Sequence, residues 1–398
     1  MRKLLVVATF FLVILSAWVG GHVYIARRLI LDTGLSGFAA GGALLLLGFL
    51  CALVVPQWLA ERFLPPRLSR MVSWPTFVWM GIAYFTVLAL AASDAVLAIA
   101  GAPALAGAAA PAPNGAATTR AVVVALAALA ASGVALVGAL RRPRDTRVEI
   151  ELERWPRELD GFRIVQISDV HIGPMRDRRF AREITERVNA LEPDLIAVTG
   201  DLVDGPVAHL ADEVAPFAEL RAKHGVFFVT GNHDYYSGAD PWLEHVRKLG
   251  MRPLRNERVE IRANGAAFDL AGVDDHRGYL FGPGHGEDVP KALAGRNPSR
   301  PVVLLAHDPS TFRSASQHDV DLQISGHTHG GQLWPFGYVV RLVVKYVAGE
   351  YQRGRSRLFV SRGTGFWGPP MRLGAPPEVV EIVLRSPQRS PLGARADA

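Results

Sequence analysis

Apolar residues dominate the first 144 positions in long unbroken runs, and beyond them the pattern breaks into short apolar stretches separated by polar turns. Residues 4–26, 35–60, 73–92 and 121–140 are each close to the ~20 residues that a helix needs to cross hydrocarbon. Helices are expected because backbone groups in lipid must pair within their own segment. The first run has no clear small-residue cleavage site and three further runs follow it, so it reads as a retained helix rather than a signal peptide. Residues 101–118 are rich in Ala, Pro and Gly and read as a loop. Asp94 interrupts the apolar tail of the third run; an interfacial position just beyond the span is preferred to a functional acid within it.

From about residue 148 the rhythm is strand, polar cluster, helix. Arg163–Ser168, Leu195–Thr199 and Val226–Thr230 are strand-like, and helical spacing follows in 177–191, 207–223 and 240–249. Three such repeats predict crossover units feeding a largely parallel sheet. Shorter strands are expected at Glu260–Arg262, Ala267–Leu270, Pro301–Leu305, Asp321–Ser325, Leu358–Ser361 and Val379–Leu384, enough for a second sheet packed on the first. The expected fold is therefore α/β, two packed sheets flanked by helices, preceded by about four transmembrane helices. The boundaries are 1–144 for an anchor, 145–385 for the α/β domain and 386–398 for a loose tail.

Charge sharpens this division. Eleven of the 43 Lys and Arg and three of the 37 Asp and Glu lie in residues 1–144, so the remainder is nearly balanced at 32 and 34. The net charge of +6 belongs to the apolar part and reads as positive charge beside a membrane, with no specific nucleic-acid partner indicated. Arg2 and Lys3, then Arg62, Arg67 and Arg70, then Arg141, Arg142, Arg144 and Arg147 fall on one side if four helices cross. That bias places both termini and the α/β domain in the cytoplasm, on a multi-pass cell (inner) membrane. The single cysteine, Cys51, lies in an apolar run, reads as a buried inert thiol and excludes an intrachain disulfide.

The polar residues that carry chemistry collect where strands end, which is where open α/β sheets form their sites. They are Asp169, His171, Asp201, Asn232, His233, His307, His327 and His329, including five of the chain's twelve histidines. Carboxylates and imidazoles together suit borderline divalent metals such as Mn, Fe or Zn. No dinucleotide glycine fingerprint and no phosphate-binding GxxxxGK[ST] loop is present. Gly200, Gly231 and Gly326 precede ligands and read as providing backbone room or positive φ.

Taken in order, Asp169-Val170-His171, Gly200-Asp201, Gly231-Asn232-His233-Asp234, His307 and Gly326-His327-Thr328-His329 resemble the motifs of the calcineurin-like metallophosphoesterases. The resemblance covers roughly residues 160–385. It is closer to a membrane-associated branch with Gly-His-Thr-His-Gly-Gly-Gln and a downstream Gly363-Thr364-Gly365. It implies two divalent ions, one held by Asp169, His171, Asp201 and His329, the other by Asp201, Asn232, His307 and His327. It also implies His233 facing the substrate beside them. Asp234 reads equally as orienting His233 or as stabilising its turn, and Asp204 as supporting a turn rather than binding metal.

The activity implied is hydrolysis of a phosphodiester or pyrophosphate by a hydroxide bridging the two ions. A lipid-linked phosphate is among the candidate substrates, and the bilayer is the expected partner. Phe366, Trp367 and Met371, and likewise Trp334, Pro335, Phe336 and Tyr338, read equally as packing residues or as the lining of an apolar path. A protein serine/threonine phosphatase and a non-catalytic metal-binding signalling module are the alternatives. A transporter would explain none of the ligand set.

Overall fold

The computed structural model describes residues 2–101 and 115–387, the side chains of Arg2–Ala8, Phe10 and Phe11 excepted. Residues 102–114 of the expected loop and 388–398 of the expected tail, and the side chains of Arg2 and Lys3, thus lie outside the described residues. The described residues form two compact units, one within residues 1–138 with 368–371, the other within 139–367 with 372–398.

The first unit is helical: α1 (Arg2–Ala26), α2 (Gly37–Ala52), α3 (Val54–Phe63), α4 (Pro66–Ile99) and α5 (Gly115–Leu140). Among the described residues three helical segments are long and apolar enough to span a membrane, Gly37–Phe63, Pro66–Ile99 and Gly115–Leu140. The sequence predicts about four. The first run does form α1, but side chains that would qualify it fall outside the description. α4 outruns the predicted 73–92 at both ends, and Pro66 sits in its first turn, where a missing N–H costs nothing. α5 begins inside the stretch read as loop, because Ala-rich sequence favours helix.

Asp94 lies in the last turns of α4, which ends at Ile99, and that position leaves the interfacial reading open. Its carboxylate accepts from Tyr24 Oη at 2.5 Å and Arg28 Nη2 at 2.9 Å, and it pairs with Arg120. Those partners are what let an acid sit in an apolar helix.

The second unit is an α/β fold of two mixed sheets flanked by helices. One sheet has the strand order β1 (Arg144–Glu151), β12 (Glu378–Arg385), β2 (Phe162–Ile167), β3 (Leu195–Val198), β4 (Val226–Phe228), β5 (Arg252–Pro253). β2 to β5 run parallel, and β12 lies antiparallel to β2. The other has the order β10 (Gly349–Arg353), β11 (Ser356–Val360), β9 (Leu322–Ser325), β8 (Val302–Leu305), β7 (Ala266–Gly272), β6 (Glu257–Ala263). Here β7, β8, β9 and β11 are parallel, and the antiparallel hairpins β6–β7 and β10–β11 close the edges.

Strands buried on both faces read as continuous apolar runs, with successive side chains going to opposite sides. Ile164, Ala197 and Phe227 face Leu270, Val303, Leu305 and Ile324 across the sheet–sheet core. Their neighbours Val165, Ile196 and Phe228 pack outward against α6 (Arg178–Ala190), α7 (Val207–Val214) and α9 (Ala239–Lys248). Val302 and Leu304 pack outward with Val289 and Ala292 of α10 (Val289–Ala292) and Phe312 of α11 (Phe312–Ala315). Between β4 and α9 lies the short α8 (Asn232–Tyr236), and after β9 comes α12 (Phe336–Val343). The predicted helix 207–223 is shorter than expected: α7 ends at Val214, and a tight turn with Pro216 in it follows.

Candidate metal centre

Five strand ends of the two sheets converge on one site. β2 delivers Asp169 and His171, β3 delivers Asp201, β4 delivers Asn232 and His233, β8 delivers His307, and β9 delivers His327 and His329. Asp169, His171, Asp201, His327 and His329 all hold left-handed backbone, with φ between 51° and 74°. Such backbone is uncommon in residues other than glycine and gathers at functional sites. Glycine at 231 and 326 has a steric reason. A Cβ at Gly231 would collide with Asp201 Oδ1, and one at Gly326 would collide with Ser168 Oγ and Asp169 Oδ2.

The side chains form three overlapping groups whose donor atoms lie within 4.8 Å of one another: Asp169, His171 and His329; His171, Asp201 and His233; Asp201, His307 and His327. Asp201 belongs to two of them. His171 Nε2 is 3.1 Å from His329 Nε2, and His327 Nδ1 is 3.2 Å from His307 Nε2. His307 Nδ1 donates to Thr199 O at 2.8 Å, which turns its Nε2 inward, 3.1 Å from Asp201 Oδ2. Asn232 Oδ1 is buried without a hydrogen-bond partner. A buried carbonyl left unpaired costs free energy, which a cation would remove. Oxygen and imidazole donors facing one another in this way are consistent with a site for two divalent ions.

The electrostatics differ from ring to ring: burial would lower His307, but Asp201 and then Asp169 raise it well above the usual imidazole value. Burial, then the charges of His171 and Arg372, push His329 well below the usual imidazole value. Burial, then His307, lowers His327 as well. Both rings are thus neutral, as metal ligands must be. Burial opposes ionisation of Asp201, but His307 and His233 outweigh it and hold the carboxylate well below its ordinary value.

The sequence leaves Asp234 open and gives Asp204 to a turn, and the geometry separates them. Asp234 Oδ2 accepts from the backbone N–H of Asp201 at 2.9 Å and Gly231 at 2.8 Å, and Oδ1 from Leu202 at 3.0 Å. It braces two ligand turns and does not orient His233; burial, then the Asp201 charge, raises it to about 7. The carboxylate on His233 is that of Asp204, at 2.7 Å from Nδ1, and the same oxygen lies 3.0 Å from His171 Nδ1. Burial would depress His233, yet Asp204 and Asp201 raise it to about 9.

Other participants carry no motif of their own. Gln332 Nε2 donates to Trp367 O at 2.8 Å, and its Oε1 accepts from Trp367 N at 3.0 Å, so the turn after the histidine pair is tied to the loop 363–367. The Trp367 indole, half exposed, meets the His233 ring edge-on at 5.6 Å, and Tyr236 does so at 5.3 Å. Phe366, in contrast, is buried against the Arg176 guanidinium, and Met371 is buried too. Buried Arg372 places Nη2 3.1 Å from His329 Nδ1 and donates through Nη1 to Ala375 O at 2.8 Å. Asp275, after β7, is a further buried carboxyl, raised to about 6 chiefly by burial. Sequence reasoning misses it, although its place just after a strand is a signal that could have found it.

The family model for calcineurin-like phosphoesterases matches residues 162–331. A bovine protein described as a transmembrane protein with metallophosphoesterase domain is 40% identical over 266 residues, covering 64% of this chain and 60% of that one. An uncharacterized metallophosphoesterase of Helicobacter pylori is 37% identical over 250 residues, 62% and 65% of the two chains. One from Aquifex aeolicus is 39% identical over 246 residues, covering 61% of this chain and 92% of its own. The chain thus spans under two thirds of the length of the bovine and Helicobacter relatives.

Proposed function

Because the chain belongs to the calcineurin-like metallophosphoesterases, we propose that it is a membrane-anchored phosphoesterase that hydrolyses a phosphodiester or pyrophosphate, with lipid-linked phosphates as the favoured class. It falls in the membrane-associated branch marked by Gly326-His327-Thr328-His329-Gly330-Gly331-Gln332. Residues 1–144 form the anchor, 145–385 the phosphoesterase and 386–398 a tail, with the enzyme on the cytoplasmic face. The observation that carries the reading is the pair of groups Asp169, His171, His329 and Asp201, His307, His327, with Asp201 also close to His171, and the orphaned Asn232 oxygen.

In this reading Asp169, His171, Asp201 and His329 hold one ion, and Asp201, Asn232, His307 and His327 hold the other. Mn, Zn or Fe suits such mixed donors. Two bound divalent cations supply Lewis-acid polarisation of the phosphoryl oxygens and acidify water near neutral pH. The chain does the rest. Asp204 takes the Nδ1 side of His233 and leaves Nε2 to hand a proton to the departing oxygen. Gly231 and Gly326 keep the ligand carboxylates close-packed, so the donors need no rearrangement when charge develops. Trp367 and Tyr236 flank His233 and bound the path of the substrate.

The test is a panel of a phosphomonoester, a phosphodiester, a lipid pyrophosphate and a phosphoserine peptide, offered to the metal-free and the Mn-, Zn- or Mg-loaded protein, with bound metal counted. Hydrolysis of the diester or pyrophosphate that tracks metal loading, and its loss in Asp201→Asn, is the expected result. Preference for the peptide would make the protein a phosphatase of serine or threonine instead.

A further inference from the structure

A helix on the surface of a soluble domain buries its apolar stripe and turns its polar face to water. α12 (Phe336–Val343) does the reverse. None of its residues is buried, and Tyr338, Val339, Leu342 and Val343 are 66%, 51%, 86% and 75% exposed. Gly337 and Arg341, four apart and hence on one face, point the other way. They share the wall of a cavity of about 310 Å³ with Gly330, Trp334, Tyr338 and Arg362. Gly337 also rests directly on the turn that carries His329, since a Cβ on Gly331 would collide with the Gly337 backbone.

The flanks continue the pattern. Trp334 is 60% exposed before the helix, and Lys345 is exposed after it. No Asp or Glu occurs between Asp321 and Glu350, so the only formal charges near the patch in sequence are Arg341 and Lys345. Exposed aliphatic residues, aromatic rings at the edge and positive charge without negative are the make-up of an element that lies in a membrane interface. The positive charge complements anionic headgroups. Only Arg141, Arg142 and Pro143 separate the end of α5 from the start of β1. So short a tether gives the domain a high effective concentration at the bilayer that holds the helices.

We propose that α12, with Trp334 and Lys345, docks into an anionic bilayer surface, and that the cavity behind it receives the phosphate-bearing head of a lipid substrate. The second half rests on the phosphoesterase reading above; the first half does not. Lipid chains meet Leu342 and Val343, while Arg341 and Arg362 offer guanidiniums to the head. Because the helix leans on Gly331, a docked α12 brings lipid to the His329 turn rather than to a remote face.

The test uses the full chain reconstituted in vesicles of phosphatidylcholine with phosphatidylglycerol. In a Cys51→Ser background, L342C and K248C carry a nitroxide; Lys248 lies on α9 and is exposed. The label at 342 is expected to be shielded from a water-soluble nickel chelate and open to oxygen, and the label at 248 the reverse. Equal exposure of both labels to the chelate would overturn the docking, as would shielding that needs an added protein rather than lipid.

Independently, Leu342→Glu with Val343→Glu is expected to slow hydrolysis of a vesicle-borne lipid phosphoester by about tenfold or more while sparing a soluble phosphodiester. Equal loss on both substrates would overturn the delivery role. If the unaltered protein hydrolyses neither, the phosphoesterase reading falls, and the nitroxide result still decides docking.

Discussion

Asp169, His171, Asp201, His327 and His329 each hold a backbone conformation that costs on the order of 1–3 kcal/mol per residue and persists only where neighbours enforce it. The enforcing contacts are visible. Asp169 Oδ1 accepts from His327 N at 3.0 Å, and Asp201 Oδ1 accepts from His233 N at 2.8 Å, so each ligand carboxylate also holds another ligand turn. Asp204 extends that economy to two imidazoles at once. Asp204→Asn keeps an oxygen at Oδ1 for both imidazoles but removes the negative charge they share and puts an amide donor in place of Oδ2, 3.1 Å from His171 Nδ1. The expected loss is roughly ten- to a hundredfold in kcat/KM. In the proposed division of ligands, metal at Asp201, Asn232, His307 and His327 should be retained. Steady-state hydrolysis with metal analysis checks this, and unchanged turnover would remove Asp204 from the machinery.

At the scale of elements, the ligand blocks were legible because each is local: a buried strand announces itself by apolar continuity, and its polar end follows within a few residues. β1, β5 and β10 were not. β1 has only Val148 and Ile150 as apolar residues among its eight and takes its place only through its register with β12. β5 has two residues, and β10 is an edge strand with little apolar sequence. The site shows the same limit. Gln332 and Arg372 act through partners 35 and 43 positions away, and no spacing rule links them to Trp367 or His329. The segment after β7 is another case. His276 Nδ1 lies 2.6 Å from Glu287, which also takes the Thr311 hydroxyl, joining three loops beside α10 and α11.

The Glu287 hydrogen bond raises His276 above 6.5, against the opposing effect of burial. A group with a raised folded value stabilises fully below its unfolded value and loses that contribution as pH climbs through the raised one. Relative to His276→Gln, amides in 275–289 and 308–315 should therefore be better protected from hydrogen exchange at pH 5.5 to 6. The difference should shrink as pH rises past the His276 value. A difference independent of pH would mean that the pair is neutral.

For the whole molecule the open quantity is how many times the chain crosses the bilayer, and the two termini answer different parts of it. The last candidate span, α5, has Arg141, Arg142, Arg144 and Arg147 just after it, and only Arg120 near its start. Arg120 is moreover paired with Asp94, so little free positive charge remains at that end. Orientation follows basic residues close to the ends of a span, so the cytoplasmic orientation proposed above rests on the α5 asymmetry whatever α1 does.

The count enters only at the amino terminus. Four crossings bring it to the cytoplasm with Arg2 and Lys3; the three spans found among the described residues would leave it outside. A fluorescent protein that folds only in the cytoplasm should light up at the carboxyl terminus. Joined instead to residue 1, it should light up if α1 spans and stay dark if it does not. A dark carboxyl-terminal fusion that is nonetheless intact in the membrane would contradict the charge argument, and with it the cytoplasmic assignment of the enzyme.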